Sequence, residues 1–552
     1  MKRRFVESVR FPFSEVSDAS AVEKGPGRPP HWEMVFWWTR KPLISARAVI
    51  AGCLLPENTN RTKFLYYIGI RRKDRKTAHR NEPDRRLREE FKGKKLLDPF
   101  AGFGSIPLEA LRLGLDATAV ELIPSAYVFL KAVLEYPKYG EKLVKDVKKW
   151  GNQITEKLRQ DELIKKLYDE DVAVYIGSWE IKCPNCGRWT PLIGNWWLAR
   201  VKSDKGYERL AWMEYEVEDD SVRIRIVDLN EELGDVVVRN AKVDGLKVEA
   251  KGKVFRVPES NVEARREIAT CLLCNQPIMQ IDVGTGKHYT EKKKDLPKEV
   301  KDRVKWYVKY ALELYNQSRF GEAVLPEWFD EVPARPRLLV KVRVVDGDLK
   351  FEPCDEKDQE KLEIAEEEVG RLIESGDVDI PREGISLYSV RYLFPILYGM
   401  TEWYKLFNPR QLLTLVKLVK LIREAGKLIE EKKIEEGLSK EEAFKYAEAV
   451  VTYLAITLVR FADYNAMTSA YHPSNPFGMD VRSNLSFRGI AMVWNWADLN
   501  PLIVSRGLLR TTGSWKGSLE NTIKSLPYLT SRTSNSSSTI RVFFNDATIL
   551  SS

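Results

Sequence analysis

A short segment near residue 100 combines an acidic residue with two closely spaced glycines. It reads Leu96-Leu97-Asp98-Pro99-Phe100-Ala101-Gly102-Phe103-Gly104-Ser105. The apolar residues predict the end of a buried strand, with Asp98 at its carboxyl end. Gly102 and Gly104 permit positive φ angles and let a ligand approach bare backbone. This arrangement is typical of a pocket for a nucleotide-type cofactor.

A second acidic residue follows at the spacing that such a pocket needs. A helix is expected from Ser105, whose hydroxyl is a suitable N-cap, and the strand after it ends on Glu121. An acid about twenty residues beyond the glycines accepts hydrogen bonds from ribose hydroxyls. A dinucleotide site is not expected, because the third glycine is missing and Pro99 and Phe100 would crowd a pyrophosphate.

Four of the six cysteines form two close pairs. The pairs are Cys183 with Cys186 and Cys271 with Cys274. Together they can present four thiolates tetrahedrally to one zinc ion, which would be structural because no coordination position stays open. Disulfides are the competing explanation, and a cytosolic chain disfavours them.

The long segment between the two pairs is expected to form a strand-rich insertion that leaves the cysteine site and returns to the same place. Short runs rich in β-branched and aromatic residues, separated by charged or glycine turns, support this interpretation. Strands are predicted there at residues 212–217, 222–227, 236–238 and 247–257.

Length and composition indicate several domains. The 552 residues are 43% hydrophobic, which is enough for sizeable cores. No apolar run approaches the roughly 18 residues of a membrane span, and the N-terminus is polar, so we expect no membrane partner and a cytoplasmic location. The net charge is +9. Arginines and lysines cluster over residues 71–88, where a phosphate contact and a solvated charged loop are equally good interpretations.

Local signals predict several elements that would position these residues. Pro42 begins a helix that should pack near the cofactor strand. Asp346-Gly347 predicts a hairpin turn, Asn408-Pro409 begins a helix, and Ser439 with Glu442 forms a capping box for the next one.

The order of these features resembles one known family. Trp37-Trp38-Thr39-Arg40-Lys41-Pro42-Leu43 precedes the Asp-Pro-Phe-x-Gly-x-Gly motif, and both cysteine pairs follow. This order resembles the DUF1156-type adenine-specific DNA methylases, which contain a zinc ribbon. The resemblance implies an α/β fold with a Rossmann-like S-adenosylmethionine methyltransferase core. A long insertion, with a β-rich zinc-ribbon module and a helical region, would interrupt that core.

The implied organisation has five parts. They are a DUF1156-like N-terminal region (1–90), the first part of the core with the cofactor motif (91–145), the zinc-ribbon and β-rich insertion (146–335), a mainly helical insertion (336–505) and a truncated return to the core (506–552).

The resemblance also implies the functional residues. Zinc would be held by the four paired cysteines, and Arg40 is a candidate partner for the carboxylate of S-adenosylmethionine. Trp494 and Trp496 could stack on a flipped base, although packing is the commoner use. The residues expected to bind S-adenosylmethionine are Asp98, Pro99, Phe100, Gly102, Gly104, Glu121 and Asp546.

The turn that holds the target amine in this family, Asp/Asn/Ser-Pro-Pro-Tyr/Phe, is missing. The nearest match, Ser474-Asn475-Pro476-Phe477, lacks one proline and follows no apolar strand. The catalytic residues therefore stay unknown, and we expect either a second polypeptide that supplies the turn or an inactive chain. DNA is the expected partner and adenine N6 the expected target. Cytosine N4, RNA and a non-catalytic zinc-containing nucleic-acid-binding subunit remain alternatives.

Overall fold

The computed structural model describes residues 3–25, 27–71, 75–263, 268–321, 324–475, 478–487, 489–533 and 538–547. The chain divides into two compact units. The first comprises residues 1–154, 421–460 and 518–552, and the second comprises residues 155–420 and 461–517.

The helices of the described residues are α1 (Phe13–Glu23), α2 (Leu43–Leu54), α3 (Arg61–Tyr67), α4 (Arg85–Phe91), α5 (Ser105–Arg112), α6 (Pro124–Leu130), α7 (Gly140–Gln160), α8 (Glu162–Leu167), α9 (Leu229–Leu233), α10 (Asp235–Arg239), α11 (Lys298–Lys301), α12 (Tyr307–Ser318), α13 (Glu356–Glu374), α14 (Pro409–Glu435), α15 (Lys440–Tyr464) and α16 (Trp515–Thr533). None of them is both long enough and apolar enough to cross a bilayer.

The strands of the described residues are β1 (Lys95–Asp98), β2 (Asp116–Glu121), β3 (Val172–Lys182), β4 (Trp189–Leu192), β5 (Trp197–Ser203), β6 (Gly206–Glu218), β7 (Ser221–Asp228), β8 (Lys242–Asp244), β9 (Lys247–Ala250), β10 (Lys253–Arg256), β11 (Val262–Glu263), β12 (Ile268–Thr270), β13 (Pro277–Ile278), β14 (Gln280–Asp282), β15 (His288–Tyr289), β16 (Val304–Trp306), β17 (Ala334–Val345), β18 (Asp348–Pro353), β19 (Tyr471–Asn475), β20 (Gly478–Val481), β21 (Asn495–Leu499), β22 (Leu509–Arg510) and β23 (Ile540–Phe544).

The first unit contains a three-stranded parallel sheet in the order β1-β2-β23. Helix α5 connects β1 to β2, as the glycine-bearing turn predicts. Asp98 pairs with Ala119, and Glu121 pairs with Phe544. The carboxyl ends of the three strands therefore lie at one edge of the sheet, the edge at which α/β proteins bind ligands.

The mixed α/β class is confirmed, but most sheets of the described residues are small and antiparallel. A complete Rossmann-like core is not confirmed and stays a prediction. In the second unit the largest sheet has the order β18-β17-β3-β21, with β4 beside β3.

A buried ion cluster joins α2 to α5 in the first unit. Glu109 on α5 accepts hydrogen bonds from Arg47 Nε at 2.6 Å and from Arg112 Nη1 at 2.6 Å. All three side chains are essentially inaccessible to solvent. The two guanidinium groups also donate to the carbonyls of Ile68 and Asn81. Burial opposes ionisation of Glu109, but Arg112 and Arg47 outweigh it and lower its pKa.

The predicted hairpin at Asp346-Gly347 is confirmed. Strands β17 and β18 pair antiparallel, and both turn residues have positive φ, 51° at Asp346 and 89° at Gly347. These values match the type of two-residue turn that favours an Asp-Gly sequence.

The predicted helix starts in the later part of the chain are also confirmed. Asn408 Oδ1 accepts from the Gln411 backbone N–H at 2.8 Å at the beginning of α14. Ser439 and Glu442 exchange backbone and side-chain hydrogen bonds at the beginning of α15. Both signals are local capping patterns.

One predicted strand is wrong. Residues 236–238 are three consecutive valines, but they lie in helix α10. Val238 is fully buried there, whereas Val236 is 72% exposed. The packing of Val238 outweighs the weak strand preference of β-branched residues. The other three predicted segments lie within β6, β7 and the β9–β10 hairpin.

We expect Glu109→Gln to lower the free energy of unfolding of the first unit by about 3–5 kcal/mol, because two buried guanidinium groups lose their counter-ion. Chemical denaturation followed by circular dichroism measures this change. Glu89→Gln is the matched control, since Glu89 forms an exposed pair with Arg85 and should have little effect. Equal denaturation midpoints for the two variants would contradict the role assigned to the cluster.

Candidate cofactor and metal sites

The loop between β1 and α5 owes its shape to two glycines. Gly102 has φ 53° and Gly104 has φ 81°, values that favour glycine. Gly104 is the N-cap of α5, so the expected cap at Ser105 is wrong. Ser105 lies inside the helix, where its hydroxyl is buried without a hydrogen-bond partner among the described residues.

Asp98 ends β1 with a carboxylate that is only half satisfied. Its Oδ1 accepts from the Phe100 N–H at 3.2 Å. Its Oδ2 is buried and has no hydrogen-bond partner within the described parts of the chain. Burial raises the pKa of Asp98, and a buried acceptor without a partner costs stability. A cationic ligand would satisfy this oxygen.

The backbone of the loop that follows Asp98 is accessible at Gly102. A Cβ atom built on Gly102 would contact only the Trp37 indole nitrogen, at 3.9 Å. This glycine therefore leaves unfilled space next to the peptide, which a ligand could occupy. Pro99 and Phe100 belong to the same loop, and Phe100 is 74% exposed.

Glu121 ends β2 and holds the same loop. Its Oε2 accepts from the Gly102 N–H at 2.9 Å, and its Oε1 accepts from the N–H groups of Leu122 and Ile123 at 3.0 and 3.2 Å. A carboxylate offers about four acceptor positions. About one position is thus left for a ligand hydroxyl.

Exposed apolar side chains surround the carboxyl edge of the parallel sheet. Leu122 is 59% exposed and Phe544 is 54% exposed. Asp546 follows β23 at the same edge and is partly exposed. The structure thus brings the two acidic strand ends, the glycine loop and the residues after β23 to one edge of one sheet.

Arg40 lies beside the loop but is already engaged. Its guanidinium lies 5.8 Å from the Trp32 ring centroid and 5.4 Å from that of Phe103, and it donates to the Val35 carbonyl. Its role toward a carboxylate stays a prediction.

His31 supports the loop and has no signal in the sequence. Its ring stacks between Phe103 at 5.8 Å and Tyr528 at 5.6 Å, with interplanar angles of 15° and 12°. The side chain is fully buried, and burial, reinforced by Arg40, lowers its pKa to about 3. The imidazole is therefore neutral and acts here as a flat packing group. A lone histidine among prolines does not reveal such a contact.

Trp494 and Trp496 do not offer free rings for a flipped base. Trp494 is 6% exposed and Trp496 is fully buried against Gly177. In the structure both tryptophans are used for packing.

Pro476 and Phe477 lie outside the described residues, as do Arg72 and Lys73 of the basic segment.

The four paired cysteines converge in the second unit. Their sulfur atoms all lie within 4.8 Å of one another, with Cys183 to Cys274 at 3.9 Å and Cys186 to Cys271 at 3.8 Å. A tetrahedral zinc ion with Zn–S bonds of about 2.3 Å requires sulfur separations of about 3.8 Å. The cluster can therefore bind a metal ion such as zinc.

Each cysteine pair lies on a tight turn after a strand. Cys183 follows β3, and the turn closes with Gly187 at φ 72°; Cys271 follows β12, and its turn closes with Asn275 at φ 55°. Both turns have the same hydrogen bond, from Gly187 N–H to Cys183 O at 2.8 Å and from Asn275 N–H to Cys271 O at 3.0 Å. Asparagine thus takes the left-handed position that glycine usually fills.

One of the four cysteines, Cys271, favours the thiolate form. A hydrogen bond from the Cys183 thiol, with N–H donors of Cys274 and Leu273, lowers the pKa of Cys271 below its usual value against the opposing effect of burial. Thiolates are the form that binds metal.

Comparison with known proteins gives one match. A family model described as "Protein of unknown function (DUF1156)" matches residues 10–83. No curated protein and no solved structure matches the chain. The match supports the DUF1156 part of the resemblance, and the methylase part stays a prediction.

We expect the purified chain to contain one zinc ion, which Cys183→Ser should remove because three thiolates no longer close the tetrahedron. Elemental analysis by mass spectrometry measures the ratio of metal to protein. Cys53→Ser is the control, since Cys53 lies outside the cluster and should leave the metal in place. A wild-type chain that stays free of metal after incubation with zinc would contradict the site.

Proposed function

We propose that this chain binds S-adenosylmethionine and belongs to a methyltransferase that acts on an exocyclic amine of a nucleic-acid base, with adenine N6 of DNA as the first candidate. Two observations carry the proposal: Asp98 Oδ2 is buried with no hydrogen-bond partner among the described residues, and the backbone of Gly102 in the loop that follows is open. A ligand with a cationic amino group and a nucleoside fits this combination.

The residues at the sheet edge suit the parts of such a ligand. Asp98 would pair with the ammonium group, and the remaining acceptor position of Glu121 would take a ribose hydroxyl. Leu122 and Phe544 would pack against the adenine, and Asp546 would accept a hydrogen bond from its amine.

When bound, S-adenosylmethionine supplies an activated methyl group on a positively charged sulfur. The protein's task is then to hold the donor, orient it and exclude water.

The charge of the chain supports a nucleic-acid partner. The net charge of +9 favours a polyanion through counter-ion release. Cytosine N4 and RNA bases are further candidates, because the same chemistry methylates each of these amines.

A closed zinc site would hold the two cysteine turns rigid. Cysteines that bind metal are reduced, and reduced cysteines are typical of a cytoplasmic location.

A second polypeptide would supply the Asp-Pro-Pro-Tyr turn, which the sequence does not contain. The edge of β1 supports this idea, since in the described part of the chain β1 pairs with β2 alone. Leu97 on that strand is 58% exposed. An edge strand with free backbone groups can accept another strand. A neighbouring reading frame that begins with an apolar strand and this turn would support a split enzyme.

One observation favours a rival, the non-catalytic zinc-containing nucleic-acid-binding subunit. Backbone N–H groups already occupy three acceptor positions of Glu121. A carboxylate committed to its own loop is what a vestigial pocket would retain. The two candidates differ in whether the chain binds the donor at all.

We expect titration calorimetry to show binding of S-adenosylmethionine, and Asp98→Asn to weaken it about tenfold or more, because a charge-assisted hydrogen bond is worth about 1.5–3 kcal/mol. Glu121→Ala should also weaken binding, since it releases the Gly102 loop. Asp116→Asn is the control, because Asp116 lies at the opposite end of β2. Wild-type protein that gives no heat of binding would favour the rival subunit.

A further inference from the structure

A loop of the second unit, residues 384–403, exposes an unusual set of rings. We call it the aromatic loop. Its two 3₁₀ turns cover Leu387–Arg391 and Phe394–Tyr398. The exposed apolar side chains are Leu387 (70%), Tyr388 (98%), Tyr392 (62%), Phe394 (49%), Leu397 (36%) and Trp403 (39%). Such a density of exposed apolar groups indicates an interaction surface.

The backbone of the aromatic loop is held at both ends. Ile385 N–H donates to the Thr401 carbonyl at 2.6 Å, and Trp403 N–H donates to the Glu383 carbonyl at 3.3 Å. These bonds close the loop on itself. Its shape therefore does not depend on the exposed rings.

The middle of the loop is anchored as well. Phe394 and Ile490 are joined by an N–H to carbonyl bond of 3.1 Å, and Ile490 N–H donates to the Tyr392 carbonyl at 2.6 Å. Ile396 and Met400 are buried beneath. One set of side chains fills the core while the rings of Tyr388 and Tyr392 are exposed, so the backbone that carries the rings loses little conformational entropy when they bind a ligand.

The chemistry of the loop selects one kind of partner. Four of its six exposed apolar side chains are aromatic, and a ring that stands clear can stack on the π-face of any nucleobase. Arg391 is exposed between Tyr388 and Tyr392 in the sequence and carries the charge that a phosphate needs. Glu402, the acidic residue of the loop, is paired with Lys405 at 2.6 Å.

We propose that the aromatic loop binds unpaired nucleobases of the nucleic-acid substrate by stacking on Tyr388 and Tyr392. The inference rests on the proposed function for the identity of the substrate, and it names the element that contacts the bases. Its ligand is an unpaired base, whose ring faces are free to stack.

The test compares two double variants of the full chain. Tyr388→Phe with Tyr392→Phe keeps both rings, whereas Tyr388→Leu with Tyr392→Leu keeps the apolar surface but removes stacking. Fluorescence anisotropy measures the Kd for a labelled single-stranded DNA and for the matching duplex at one salt concentration. We expect the phenylalanine pair to bind single strands like the wild type and the leucine pair to bind them about tenfold or more weakly.

A second readout is the preference for unpaired over paired DNA, which the leucine pair should lose while phosphate contacts remain. Thermal melting checks that both variants fold, as expected for such exposed positions. Equal affinity of the leucine pair and the wild type overturns the inference, and so does equal weakening in both pairs. Failure of the wild type to bind either DNA also overturns it, and calorimetry with S-adenosylmethionine on the same samples judges the donor site separately.

Discussion

The first unit depends on one carboxylate held between two arginines. Glu109 lies on the helix that begins at the glycine loop, and Arg47 reaches it from the helix that follows Pro42. Because all three side chains are buried, the ions can satisfy each other only in one geometry. This geometry fixes the start of α5, and with it the position of Gly102 and Gly104 at the end of the sheet.

The two acidic strand ends differ in their hydrogen bonding. Glu121 is used by the protein itself, because it binds the N–H groups that shape the loop. The Oδ2 of Asp98, in contrast, is buried with no hydrogen-bond partner among the described residues. A buried acceptor without a partner costs stability, and a cationic ligand of the kind proposed above would offset that cost. The four-cysteine cluster differs from Asp98 in this respect, because each of its sulfur atoms lies within 4.8 Å of the other three.

The sequence predicted best those features that local chemistry decides. Asp346-Gly347, Asn408-Pro409 and the Ser439 box act within a few residues, so their turns and caps follow from residue type. The convergence of the cysteines is predicted from the two-residue gap within each pair together with a strand-rich insertion whose ends can return to the same place. Two features decided by distant packing are not predicted: the valines before Arg239 are helical, and the stacking of His31 joins residues far apart in sequence. The packing of Trp496 against Gly177 agrees with the commoner use of a buried tryptophan.

The open side of β1 has a consequence for the molecule in solution. Free N–H and carbonyl groups along a strand template the addition of any extended chain, a second copy included. The strand is short, at four residues, and begins with a lysine, and both properties discourage self-pairing. Such a short, lysine-led edge strand is therefore less prone to aggregation than a long apolar edge strand would be.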